Sequence, residues 1–188
     1  MKFKSPIYFS LLVFTFLSFS CSHSGKPDKP DVNSMTEGQV DGELSSPSNG
    51  FYILFRIPDS DPSADIFKQV QYLEKRKVFV EKTYKDSLFY KDVSDRTAKQ
   101  EQRYYDSLPE KLKQEKQDLK DAYMLSIQKF EKTKHNNLPP RTQALVDRKI
   151  SFIKSRMKKQ LSKYDYVINH LDTIIREAKK KARESVSN

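Results

Sequence analysis

From Val146 onward, apolar side chains return every three or four residues, at Ile150, Ile153, Met157, Leu161, Tyr164, Ile168, Leu171, Ile175 and Ala178. An α-helix turns once per 3.6 residues, so these positions share one face. The pattern predicts a helix over 141–184, about 66 Å long at ~1.5 Å per residue. Upstream, Ile66, Val70, Leu73, Val80, Tyr84 and Leu88 form a second stripe, interrupted at Lys77. It predicts a helix from an N-cap at Ser63 to about Lys91. The second helical region in chain order, over 94–135, carries Leu112, Leu119, Tyr123, Ile127 and Phe130, so the helix over 141–184 is the third. Within it, Ser107-Leu-Pro-Glu110 reads as a helix start, and Pro109 predicts a kink or break. The run His-Asn-Asn-Leu-Pro-Pro (135–140) ends one helix and opens the next.

Residues 51–188 contain no glycine, so the Asn-Gly and Asp-Gly hairpin turns of β folds are missing. Long charged helices with one apolar stripe need partner helices. The expected fold is all-α, an elongated, coiled-coil-like antiparallel three-helix bundle over 51–188. Three narrow stripes leave room for a homodimer through the third helix. Phe51-Tyr-Ile-Leu-Phe-Arg-Ile57 departs from helical spacing. Phe51, Ile53 and Phe55 are expected to pin the start of the bundle or to form an exposed docking strand.

Residues 22–50 are poor in apolar side chains and rich in Ser, Gly, Pro and Asp, and they hold all four glycines. Such composition predicts a disordered, flexible tether. The tether carries two lysines against five acids, whereas 138–188 carries thirteen Lys or Arg against five acids.

The N-terminus reads as an export signal. Lys2 and Lys4 precede the apolar run 6–17, which is too short to span a bilayer, and Ser-Phe-Ser leads to Cys21, the only cysteine. A lone cysteine cannot form an internal disulfide. The segment resembles the signal of a bacterial lipoprotein. Leu17 stands four residues before the cysteine and Phe19 occupies a position where small residues are usual, as in the relaxed boxes of spirochaetal, leptospiral-type lipoproteins. That resemblance implies a signal peptide over 1–20, an acylated Cys21 opening the tether over 21–50, and lipid anchoring at the outer membrane, exposed at the surface. It is confined to about the first 21 residues and carries no activity.

Catalytic patterns are missing from the sequence. His135 and His170 have no His or Cys at helical ligand spacing, and there is no Gly-rich phosphate loop or nucleophile elbow. We expect no enzyme, no metal and no cofactor. The basic third helix is the candidate site: Arg148, Lys154, Lys158, Lys159, Lys179, Lys180, Lys181 and Arg183 would bind a polyanion or an acidic partner. The architecture is similar to small helical surface lipoproteins of spirochaetes, some of which capture host proteins such as complement regulators. This implies an adhesin or plasma-protein receptor with a host protein, envelope protein or sulfated glycan as partner, and no nucleic acid. The alternative is a periplasmic chaperone or envelope-structural lipoprotein.

Overall fold

Short polar caps set where the chain turns into helix. The computed structural model describes residues 29–46, 57–134 and 137–187, and among these described residues every regular element is a helix and there is no strand. Asp61 accepts from the Ala64 N–H at 3.1 Å, and Pro62 follows at the first helical position, opening α2 (Pro62–Tyr84). The start thus falls within two residues of the expected one, with Asp61 as the cap in place of Ser63. Cys21 and its signal lie outside the described residues, as do Phe51, Ile53, Phe55 and His135.

Three boundaries differ from expectation. The helix α2 ends at Tyr84, and after a turn at 85–89 the next helix, α3, spans Tyr90–Lys134. It continues through Pro109 without interruption, so of the expected kink or break the break does not occur. Leu108 and Leu112, each 2% exposed, clamp the backbone on either side of the missing donor. The third helix is divided: α4 (Pro140–Asn169) stops at His170 and α5 (Leu171–Ser187) resumes. The His170 N–H closes the end onto the Tyr166 and Val167 carbonyls at 3.0 and 3.2 Å. Core positions there are Val167, Ile174, Ala178 and Ala182, so Ile168 and Ile175 are only partly buried.

Ion pairs report the directions of packing. Lys116 of α3 pairs with Asp165 of α4, and Lys134 with Asp147, so sequence number falls along α3 as it rises along α4. Lys179 of α5 continues the series with Glu101 of α3 at 2.7 Å. Next to α2, Arg76 donates to Gln100 at 2.7 Å. Ahead of α2, buried Gln160 donates to Asp59 at 2.7 Å and Lys163 to the Ser60 carbonyl at 3.0 Å.

The largest correction concerns the tether. Residues 31–46, expected to be flexible, are folded: a 3-10 turn (Val32–Ser34) precedes a short helix, α1 (Glu37–Leu44). Thr36 and Gln39 form a reciprocal capping box. Val32, Met35, Val40 and Leu44 are buried in one cluster with Tyr123, Ile127, Leu145, Val146 and Ile150. Eight residues with Gly38 and Gly42 among them would not hold a helix alone. Docking onto α4 supplies what local propensity lacks. A Cβ at either glycine meets nothing within 4 Å, so Gly38→Ala and Gly42→Ala should each raise stability by about 0.5–1 kcal/mol, read by urea denaturation.

Candidate functional site

The eight basic side chains picked out by the sequence do not form one free face. Arg148 is half-buried: its Nη2 donates to the Met35 carbonyl at 3.4 Å and its guanidinium lies 4.5 Å over the Phe152 ring. Lys179 is drawn inward, 2.7 Å from Glu101 and 4.4 Å over the Tyr105 ring. The Arg183 Nε donates to Glu74 at 2.6 Å, and Glu74 is only 2% exposed. These three cations neutralise or hold the body's own groups.

The rest face outward. Lys154, Lys158 and Lys159 are exposed on α4, with no carboxylate at ion-pair distance among the described residues. Lys180 is exposed, 4.0 Å from Glu184, and exposed Lys181 sits 5.4 Å over the Phe67 ring. An open groove of about 560 Å³ runs along α5, lined by Asp172, Ile175, Arg176, Lys179, Lys180, Arg183 and Glu184. Arg176 is the residue that sequence reading missed. Its spacing from Lys180 and Arg183, four and seven residues, puts it on their helical face and was readable. A groove with four cations (Arg176, Lys179, Lys180 and Arg183) and two acids (Asp172 and Glu184) can hold a sulfate, phosphate or carboxylate group by charge-assisted hydrogen bonds. Nothing in it is arranged as a nucleophile and base.

Beneath that groove, Glu101 and Tyr105 of α3 meet Lys179 of α5. Burial pushes the Glu101 carboxyl up, but the Lys179 hydrogen bond and charge outweigh it, with help from Tyr105 and Lys77. Its pKa is therefore lowered from the ordinary 4.5. Burial first, then the Glu101 and Glu74 charges, raises the Tyr105 phenol, which stays protonated at neutral pH. A depressed carboxylate pKa contributes stability that is present above the unfolded value and lost as pH falls through the folded one. Glu101→Gln should thus lower stability at neutral pH and flatten the acid limb of a stability profile below about pH 4.5. An unchanged acid limb would show that the Lys179 contact does not hold in solution.

Two further clefts lie among the described residues. One of about 520 Å³ lies between α2, α3 and α4, with Pro62, Tyr104, Leu108 and Tyr164 in its wall. The other, about 310 Å³, flanks the α4–α5 break. There His170 Nδ1 lies 2.8 Å from the Tyr166 carbonyl and its ring stacks on Tyr166 at 4.3 Å. Among the described residues no three His, Cys, Asp or Glu side chains are grouped to hold a metal, and no helix is long and apolar enough to cross a membrane. No family model, curated protein or solved structure matches this chain.

Proposed function

We propose that this chain is a lipid-anchored surface protein that binds host or extracellular polyanionic macromolecules through the outer face of α4 and α5, and acts by binding without bond-making. The signal-like run 6–17 and the position of Cys21 support an acyl anchor at the outer membrane. In this reading the spacer occupies the residues between Cys21 and Asp31, and the body begins at Asp31. The body is taken as three antiparallel legs, α2, α3 and α4 with α5, supported by the opposed directions of the Lys116–Asp165 and Lys179–Glu101 pairs.

The observation that carries the proposal is the set of outward cations left over once internal pairs are removed: Lys154, Lys158 and Lys159 on α4, with Arg176 on α5. Unpaired surface charge of one sign steers acidic partners and binds them in a salt-sensitive way. The chain carrying K154E, K158E and K159E together should lose affinity for immobilised heparin by about tenfold or more. These side chains are exposed, so folding is expected to survive the change. Salt at about 0.5 M should release the unaltered chain from the same resin. Binding that ignores both salt and charge reversal would sink the proposal. Separately, Cys21→Ser should move the protein from membrane to soluble fractions.

A further inference from the structure

The turn between α2 and α3 carries side chains that a folded body has no reason to leave bare. Leu88, expected in the buried stripe of a longer helix, is 100% exposed, and Phe89 beside it is 69% exposed. Phe79, in the last part of α2, is 58% exposed and packs edge-on against Tyr84 at 6.5 Å between ring centres. Local hydrogen bonds tie the backbone beneath: Ser87 N–H donates to the Tyr84 carbonyl at 2.8 Å, Phe89 N–H to Ser87 Oγ at 3.1 Å, and Tyr90 N–H to the Ser87 carbonyl at 3.0 Å. The turn is held in shape by its own hydrogen bonds while its apolar side chains make no core contact.

The charge around these residues narrows what could cover them. Lys82, Lys85 and Lys91 stand at the turn with Asp86 among them and Glu81 and Asp92 just outside it, and Asp92 is taken up by Arg96 at 2.6 Å. Lys85 and Lys91 are exposed and have no carboxylate at ion-pair distance among the described residues. Lys82 donates to the Val186 carbonyl at 3.2 Å, which brings the end of the basic helix α5 to the same side. Tyr84 and Tyr90 flank the turn as aromatic rings with polar tips, the type favoured at lipid–water boundaries.

We propose that the 85–89 turn is a docking tip for an anionic lipid bilayer, with Leu88 and Phe89 entering the headgroup–acyl boundary and Lys82, Lys85 and Lys91 meeting lipid phosphates. A second copy of the chain fits poorly, because its tip would bring the same lysines against these. A turn of five residues also offers far less area than a stable protein interface buries. A bilayer needs only a few apolar side chains and a ring of cations. The proposal depends neither on the acyl anchor nor on the α4–α5 face.

The chain has no tryptophan, so Phe89→Trp in the full chain makes one fluorescent reporter at this turn. With vesicles of phosphatidylcholine and phosphatidylglycerol, the indole emission should shift to the blue and be quenched by acyl-brominated lipid. Pure phosphatidylcholine should give little of either. Adding Leu88→Ser should weaken the titration by about tenfold, and Lys85→Glu or Lys91→Glu by about fivefold each. All these positions are exposed, and an unchanged far-ultraviolet spectrum confirms that the variants fold. An indole signal that stays aqueous while the chain sediments with vesicles overturns the proposal. So does a shift that grows with protein concentration in the absence of lipid, which would make a second copy the occupant.

Discussion

Lys149→Ala should lower the stability of the body by about 3 kcal/mol and release residues 31–46 from α4. The Lys149 side chain is 6% exposed, and its Nζ lies 2.8 Å from Glu37 and 2.6 Å from Asp41. Glu37 also reaches Arg156 at 2.6 Å. Without Lys149, two carboxylates remain against the helix with only Arg156 opposite one of them. The cost is mainly that of uncompensated, partly desolvated charge, at the lower end for a buried pair because Glu37 and Asp41 keep some water. Urea denaturation measures the loss, and limited proteolysis should find new cleavage within 31–46. Lys149→Met keeps most of the buried stem but removes the charge, so it should lose nearly as much. If both variants stay within about 0.5 kcal/mol of the parent, the charge network does not hold the segment.

Leu44→Ala should cost a further measure of the same kind, about 3 kcal/mol. Leu44 is 0% exposed and shares a cluster with Tyr123, Leu145 and Val146. Truncation leaves a cavity that α1, α3 and α4 cannot close without shifting. A residue in a flexible tether would show no such cost. Leu88→Ala is the matched control: same chemistry, full exposure, and an expected change within about 0.5 kcal/mol. Equal effects at the two leucines would overturn the placement of 31–46 in the core.

Residues 31–46 escape a reading of the sequence for a physical reason. Two glycines, four acids and a low apolar content over this stretch are the signature of a spacer. Signs of the opposite kind are present: Thr36 three residues before Gln39 is a capping box, and Val40 and Leu44 are one helical turn apart. They are weak because α1 is too short to be stable by itself, and its partners lie about a hundred residues away. The acids that suggest solvation are the groups that pair with Arg141, Lys149 and Arg156.

The candidate site was legible in outline and not in detail. Charge counting found the basic helix, and periodicity would have added Arg176. No one-dimensional pattern could tell that Lys179 and Arg183 are taken up by Glu101 and Glu74 while Lys154, Lys158 and Lys159 have no such partner among the described residues. Ion pairing depends on which helix lies alongside, and the sequence carries no direct record of that.

By itself, then, the sequence determined that this body is helical, because stripes at three- and four-residue spacing and the lack of glycine after position 50 leave no other way to bury its apolar side chains. Local chemistry also placed the start of α2 and the loop before α4. Tertiary structure alone decided that Pro109 lies within an unbroken helix, that the helix is interrupted at His170, that 31–46 belongs to the core, and that Leu88 does not. The physical reason is common to all four: each depends on the free energy of burying a side chain against a distant helix, which outweighs or withholds what the neighbouring residues prefer.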